Sequence, residues 1–268
     1  MRFMNVRKKI LNIFKRYKYN YKLHKSNQEA LFRKYHLDRD YGLEKLYRLR
    51  EQYDFLYFQK KSQIQMGNSE HQVIFSSLSK NYNFQNILEI GTFDGSNAFL
   101  LSELFPEAKI KTIDLDDHDE RFINSYGRDN PNILSEFIIR RNDLLNKKHN
   151  IFFMQADSLS LSFSDDKYDM IWIDGAHGYP VITSDIINSL RLIKHNGLIL
   201  CDDVFTSQLK DIDNMYNSMG GYETLQELAR ANLIEYDLFY KRLNKLNNYN
   251  QDTRKYIAIY KPKKISKG

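Results

Sequence analysis

The chain has 268 residues, 42% of them hydrophobic, which is enough to bury one substantial core. It carries a formal net charge of +6 and one cysteine, Cys201, so an internal disulfide is excluded and a reducing compartment is favoured. No run of 18 apolar residues occurs, and the N-terminus lacks the features of a secretory signal. We therefore expect a cytoplasmic protein.

The positive charge is concentrated at the N-terminus. Residues 1–66 have a charge balance of +11, whereas residues 67–268 have a balance of −5. Residues 1–25 contain nine Lys and Arg and no acid, with apolar residues at helical spacing, which predicts a basic amphipathic helix. Such a helix fits an anionic membrane surface, which would place the protein peripherally at the inner membrane, or nucleic-acid phosphates. The alternative is packing on its own domain or on a second copy in a homo-oligomer.

A second helix is predicted over 41–66, and it is interrupted by Gly67-Asn68-Ser69. Ser69 is then the expected N-cap of a helix through Leu78. We therefore divide the chain into a basic helical N-terminal extension, 1–66, and one α/β domain, 67–268.

The most informative stretch follows. Ile87 to Ile90 is a short apolar run typical of a buried strand, and it leads into Glu89-x-Gly91-x-x-x-Gly95. The two glycines allow a tight turn that brings backbone N–H groups close to a ligand. Ser96 and Asn97 are expected to cap the next helix.

A second strand is predicted over 110–115, with Asp114 near its end. An acid about 20 residues after the glycines is placed to accept hydrogen bonds from ribose hydroxyls. The connection over 116–150 is long for a crossover, so part of it is expected to lie near the active site.

The remaining strands and turns follow in order. They are 151–154, 170–174, 198–201, 233–240 and 256–261, with helices over 181–193 and 223–229 and a turn at His195-Asn196-Gly197. Acids fall at successive strand ends, where ligands bind in an open parallel sheet. Those acids are Glu89, Asp114, Asp157, Asp174, Asp202 and Asp203.

The stretch 86–117 resembles the first motif of class I S-adenosylmethionine (SAM)-dependent methyltransferases, with Phe93 in place of the middle glycine. This resemblance implies a Rossmann-like, doubly wound, mostly parallel seven-stranded sheet with an antiparallel last strand, plus N-terminal helices. It also implies SAM as cofactor, and an adenine contact for Asp157, which as an alternative simply caps a turn. The implied cofactor-binding residues are Glu89, Gly91, Thr92, Phe93, Gly95, Ser96, Asp114, Asp157 and Asp174.

Three carboxylates, Asp174, Asp202 and Asp203, follow neighbouring strands and would repel one another unless protonated or bridged by a cation. Oxygen ligands favour Mg²⁺ or another hard divalent cation. The set resembles that of catechol O-methyltransferase-like enzymes, where an Asp and an Asp-Asn pair hold Mg²⁺, although Asp203 here replaces the Asn. The alternative is two helix caps and a solvated acid.

His177 lies three residues after Asp174, where catechol O-methyltransferase has its catalytic lysine. The resemblance therefore implies that His177, beside Asp174, is the general base for the acceptor hydroxyl. The alternatives are a metal or cofactor contact, or a loop histidine without a role. The Asp174-Gly-Ala-His177-Gly-Tyr179 pattern also resembles a bacterial branch, methyltransferase family 24, which includes sugar O-methyltransferases.

We accordingly predict an O-methyltransferase that acts on a hydroxylated small molecule or a sugar, assisted by a divalent metal. One alternative is a non-catalytic SAM-binding module that docks a partner, and another is a methyltransferase that acts on a different acceptor without metal. Aminopropyl transferases share the fold but have no distinct support. The Asn/Asp-Pro-Pro-Tyr/Phe motif of amino-group methyltransferases is absent, which disfavours nucleic acid as a substrate.

Overall fold

A seven-stranded sheet organises the protein. In this computed structural model, residues 25–53, 69–207, 218–241 and 255–263 are described. The helices are α1 (25–34), α2 (Arg39–Gln52), α3 (Glu70–Asn81), α4 (Ser96–Leu104), α5 (Glu120–Ile123), α6 (Pro131–Leu145), α7 (Val181–Leu192) and α8 (Gly220–Arg230). The strands are β1 (Asn86–Ile90), β2 (Lys109–Asp114), β3 (Ile151–Gln155), β4 (Tyr168–Ile173), β5 (Ile193–Phe205), β6 (Ile234–Tyr240) and β7 (Lys255–Pro262).

The strand order is β3-β2-β1-β4-β5-β7-β6. Strands β1 to β5 are parallel, and β7 lies antiparallel between β5 and β6. The predicted fold class is therefore confirmed. The chain order reverses between β1 and β4, so the ends of these two strands form the crevice where such sheets bind ligands.

The hydrophobic core has two layers, one on each face of the sheet. Successive residues of each buried strand point to opposite faces, so each strand contributes side chains to both layers. In β1, Ile87 packs in the layer that includes α3 and α4, whereas Leu88 packs in the layer that includes α7 and α8. This arrangement explains why β1 is an apolar run without polar alternation.

The helices α1 and α2 join the first of these layers. Phe32 of α1 packs edge-on against Phe239 of β6, with 5.4 Å between ring centroids. Leu46 and Leu49 of α2 lie in the same buried cluster. The described part of the N-terminal segment is thus packed on the sheet layer, while the expected boundary at residue 66 lies outside the described residues.

A buried glutamine fastens α1 to the end of β6. Gln28 Nε2 donates to the Tyr240 carbonyl oxygen at 3.2 Å, and the Tyr240 N–H donates to Gln28 Oε1 at 2.9 Å. Gln28 Nε2 also lies 3.3 Å from Glu70 Oε2, and Arg39 holds that carboxylate through two nitrogens. These contacts join α1, α2, α3 and β6 at one point.

Of the two predicted caps, the one at Ser96 and Asn97 is wrong, whereas the position of the one at Ser69 is confirmed. The N-cap of α4 is Gly95 at φ +81°, and Ser96 is already helical, with its hydroxyl donating to Asp94 Oδ1 at 2.7 Å. Ser69 does stand at the N-cap of α3, but its hydroxyl lies 2.7 Å from His71 Nδ1 and makes no capping bond. In both cases a nearby side chain competes with the backbone for the serine hydroxyl.

The turn predicted at His195-Asn196-Gly197 is wrong, because these residues lie inside β5. Strand β5 pairs with β4 at Ile193 and again at Leu198, so the intervening polar residues form an irregular excursion within the strand. The helix predicted over 41–66 ends at Gln52 as α2, and residues 54–68 lie outside the described residues.

The basic helix predicted for 1–25 also lies outside the described residues, apart from its last position. Its membrane and oligomer contacts therefore stay predictions. Across the described ranges, no helix combines the length and the apolar character that crossing a membrane requires.

Replacing Gln28 with Ala should lower the free energy of unfolding by about 2–4 kcal/mol, because the Tyr240 backbone groups lose their buried partner. Chemical denaturation of the full chain measures this change. Asn27→Ala, at an exposed position on the same helix, is the matched control and should change stability by less than about 0.5 kcal/mol. Equal effects of the two substitutions would contradict the anchoring role.

Candidate functional site

The loop after β1 is pressed against the ends of two neighbouring strands. Gly91 has φ +99°, and a Cβ at this position would lie 2.4 Å from the backbone oxygen of Asp174. The Gly91 and Thr92 N–H groups both donate to the Ile113 carbonyl oxygen, at 2.9 and 3.2 Å. Only glycine fits this turn, which brings the chain to the crevice between β1 and β4.

Glu89 is fully buried at the end of β1. Thr112 donates to Glu89 Oε2 at 2.6 Å, and the Thr92 hydroxyl lies 2.7 Å from that of Thr112. Burial raises the pKa of Glu89 to about 8, although the bond from Thr112 acts in the opposite direction. The other oxygen, Oε1, has no partner among the described residues, so a polar group remains to be satisfied there.

Asp114 ends β2 beside this loop. The Phe93 N–H donates to Asp114 Oδ2 and the Leu115 N–H to Oδ1, each at 2.8 Å. Burial raises the pKa of Asp114, against the lowering effect of these two bonds. Each carboxylate oxygen keeps a further lone pair, as an acceptor for two ribose hydroxyls needs.

The long connection after β2 does reach this region. Phe93, at φ +48° and 42% exposed, lies 5.1 Å from Tyr126 and 5.3 Å from Phe137, measured between ring centroids. The Arg128 guanidinium stacks over Phe122 at 3.7 Å. An aromatic wall therefore stands next to Asp114.

Asp157 is the N-cap of a 3₁₀ helix, Ser158–Phe163, and accepts from the Leu159 N–H at 2.9 Å. It also pairs with Arg121, at 2.9 Å. Asp157 thus caps a helix, as the alternative interpretation expected. Its contact with adenine stays a prediction.

A nearby carboxylate was missed by sequence reasoning. Asp185 in α7 is completely buried, and neither oxygen has a partner by hydrogen-bond geometry among the described residues. Burial raises its pKa to about 7, so a substantial share of the neutral acid is present near neutral pH. The sequence gave no indication that this residue is buried, because Asp residues on amphipathic helices usually face solvent.

Asp174 and His177 lie together in the loop after β4. His177 Nε2 is 3.6 Å from Asp174 Oδ1, and the imidazole is buried, with Nδ1 lacking a hydrogen-bond partner in the described structure. Burial lowers the pKa of His177, which keeps the ring neutral near pH 7. Burial and then the charge of Asp202 raise the pKa of Asp174 well above its usual range.

Asp202 and Asp203 lie inside β5, which runs on to Phe205 rather than ending at Cys201 as predicted, and both are paired with lysines. Lys241 Nζ lies 2.5 Å from Asp202 Oδ2 and 2.5 Å from Asp203 Oδ1, and Lys255 pairs with Asp203 Oδ2. Burial alone would raise the pKa of Asp202, but the ammonium of Lys241 holds it well below its usual range. Asp202 is therefore ionised and paired with a lysine.

The predicted metal ligands do not fit a divalent cation in this arrangement. A hard cation needs several free oxygen ligands, whereas three of the four oxygens of Asp202 and Asp203 already bind ammonium groups. Within the described ranges, no group of three or more His, Cys, Asp or Glu is arranged to hold a metal ion. The ammonium groups of Lys241 and Lys255 already pair with Asp202 and Asp203, whose mutual repulsion motivated the prediction.

The opposite side of this region is formed by α3 and α4. His71 Nε2 lies 3.3 Å from Asn97 Oδ1, and Asn97 Nδ2 is 3.4 Å from Asp174 Oδ2. Burial lowers the pKa of His71 to about 4, and its ring lies 5.1 Å from that of Trp172. Sequence reasoning missed His71, because a lone histidine in a helix has no motif around it.

Part of the chain matches a family of known proteins. Residues 88–204 match the family described as a methyltransferase domain. The predicted resemblance to class I methyltransferases is thereby confirmed. No curated protein matches the chain in sequence.

Solved structures show the same fold. The O-methyltransferase TomG from Streptomyces achromogenes, involved in tomaymycin synthesis and solved with SAM, matches at 15% identity and a TM-score of 0.51, over 88% of this chain and 96% of that chain. The O-methyltransferase from Bacillus cereus, solved with SAH, matches at 16% identity and a TM-score of 0.47, over 83% and 90%. TomG has the higher TM-score of the two, and its likeness supports the fold assignment.

Glu89→Gln should remove a loss of stability that wild type shows as the pH rises from 4.5 to about 8. Glu89 has a pKa of about 8 when folded and 4.5 as a free side chain, so between these values the unfolded chain binds fewer protons. The free energy of unfolding should therefore fall as the pH rises through this window, by at most about 1.4 kcal/mol per pH unit.

Urea denaturation from pH 5 to pH 8 tests this expectation. The Glu89→Gln chain should gain stability relative to wild type as the pH rises, whereas Glu107→Gln, at an exposed site, should follow the wild-type curve. Parallel curves for wild type and Glu89→Gln would contradict the buried protonated acid.

Proposed function

We propose that the protein transfers a methyl group from SAM to a hydroxyl oxygen of a small molecule or a sugar. The observation that carries this proposal is the Gly91 turn, pressed into the β1–β4 crevice beside Asp114. The family match over residues 88–204 and the likeness to TomG support it.

The residues of the crevice fit SAM. Gly91 lets the loop pack directly against the Asp174 backbone at the crevice, and Glu89 offers a buried oxygen without a partner among the described residues. Asp114 would hold the ribose hydroxyls, and the wall of Phe93 and Tyr126 would shield the nucleoside from water. The methionine end would then point along the β1–β4 crevice towards Asp174.

His177 is the general base in this proposal. SAM, when bound, supplies an activated methyl group, so the protein must orient the acceptor and remove its proton. Nε2 of His177 is the ring nitrogen that would take the hydroxyl proton, because it lies on the Asp174 side of the ring, 3.6 Å from Oδ1, whereas Nδ1 is buried. Asp174 lies close enough for its charge, once ionised, to stabilise the imidazolium that forms.

Asp114→Asn should weaken SAM binding at least tenfold, because an amide offers one acceptor oxygen to the ribose where a carboxylate offers two. Calorimetric titration of SAM measures the dissociation constant. Asp116→Asn, exposed two residues later, should leave the affinity unchanged. Unaltered SAM affinity in Asp114→Asn would remove Asp114 from the cofactor site.

His177→Ala should lower turnover about 10²-fold or more while SAM affinity changes by less than twofold. Transfer of labelled methyl from SAM to a panel of phenols, catechols and sugars gives the rate, and calorimetry gives the affinity. His149→Ala, at an exposed position, should behave as wild type in both. Full activity in His177→Ala would exclude His177 as the base.

A further inference from the structure

We propose that Lys241 takes the place of the divalent cation at the carboxylate cluster formed by Asp174, Asp202 and Asp203, so that the site works without a metal. The chain itself supplies the positive charge that such a group of acids requires. The proposal concerns the acceptor side of the site. The metal-binding test is independent of the proposed function, and only the turnover test rests on it.

The contacts of Lys241 are those of a bridging cation. Its ammonium lies 2.5 Å from one oxygen of Asp202 and 2.5 Å from one oxygen of Asp203. It is 9% exposed and Asp202 is 2% exposed, so this is a desolvated pair rather than a surface ion pair. Removing one partner of a buried pair leaves the other charge uncompensated, which is strongly unfavourable.

A β-bulge makes this bridging possible. Successive residues of a regular strand point to opposite faces, so Asp202 and Asp203 would normally diverge. The register of β5 against β7 shifts between Cys201 and Val204, and Asp203 adopts φ +49°. The bulge turns both carboxylates towards the same ammonium, at a cost in backbone strain that the ion pairs offset.

The backbone of Lys241 is fixed from two sides. Its N–H donates to the Lys255 carbonyl oxygen at 3.0 Å, and its carbonyl oxygen accepts from the Glu70 N–H at 2.9 Å. Gln28 holds the preceding residue, Tyr240, through both backbone groups. The ammonium is thus positioned by β7, α3 and α1, as a structural component of the site.

A divalent cation would have to displace this ammonium. Lys255 binds the remaining oxygen of Asp203, which leaves Asp202 Oδ1 and the Asp174 carboxylate as oxygens without a lysine. These are too few for Mg²⁺, and Lys241 nearby would repel it. Without a chelating cation, the acceptor needs only one hydroxyl rather than two adjacent ones.

Manganese binding provides a test with a readout other than activity. The wild-type chain should show no Mn²⁺ binding in electron paramagnetic resonance titrations up to millimolar concentration. Lys241→Met, which keeps the length of the apolar stem, should gain Mn²⁺ affinity at least tenfold. Lys261→Met, exposed on β7, is the matched control and should gain none.

Two outcomes would overturn the proposal. One is wild-type binding of Mn²⁺ at micromolar concentration that is lost in Asp202→Asn. The other is a folded Lys241→Met chain with no gain in Mn²⁺ affinity. If Lys241→Met does not fold, Lys255→Met is the second variant, and it should show a smaller gain that is likewise absent from Lys261→Met.

SAM titration and turnover of the same wild-type preparation separate this proposal from the proposed function. Turnover in EDTA should equal turnover in Mg²⁺ within twofold. Loss of turnover in EDTA with intact SAM binding would overturn the lysine assignment alone. Absence of SAM binding would overturn the proposed function and leave the Mn²⁺ result to decide the lysine assignment.

Discussion

The ion pairs of Lys241 with Asp202 and Asp203 determine how the proposed acceptor side of this protein is built. Parallel strands bring their carboxyl ends to one edge of the sheet, so Asp174 after β4 and the acids near the end of β5 lie together there, away from water. Buried carboxylates at that spacing repel one another unless a positive charge joins them. Here the charge comes from the junction after β6, and α1, α3 and β7 hold that junction in place.

The proposed cofactor side depends on a different constraint, the close approach of one backbone segment to another. Gly91 lies against the Asp174 carbonyl group, and two N–H groups of the loop donate to the Ile113 carbonyl oxygen. Asp114 is oriented by two N–H groups, one of them from the loop itself. The two sides meet at Asp174, whose backbone borders the glycine turn and whose side chain borders His177 and Asn97.

Local pattern predicted the individual strands and the glycine loop after β1, and the resemblance to class I methyltransferases supplied the topology of the sheet. The apolar run at 87–90, the glycines after it and the acid at 114 contact residues that are close in sequence or on an adjacent strand. Their spacing in the sequence therefore indicates their arrangement in the fold. Capping was harder to predict. Ser96 has a good capping side chain, but Gly95 takes the cap because only glycine adopts its positive φ without cost.

The lysine pairs could not be predicted in this way. Lys241 and Asp202 are 39 positions apart, and they meet only because β7 inserts antiparallel between β5 and β6 and because β5 carries a bulge. Neither the bulge nor the strand order has a sequence signature of its own. Counting acids at strand ends therefore predicted the group of carboxylates, but it could not identify the lysines that pair with them.

The most direct measurement is a crystal structure of the full chain with SAH, grown in millimolar Mn²⁺ and recorded with anomalous scattering at the manganese edge. The account predicts SAH in the β1–β4 crevice, with its ribose on Asp114 and the Lys241 ammonium between Asp202 and Asp203. No anomalous peak should lie at the carboxylate cluster. A manganese peak between Asp174, Asp202 and Asp203 with Lys241 displaced, or SAH bound away from Gly91, would contradict it.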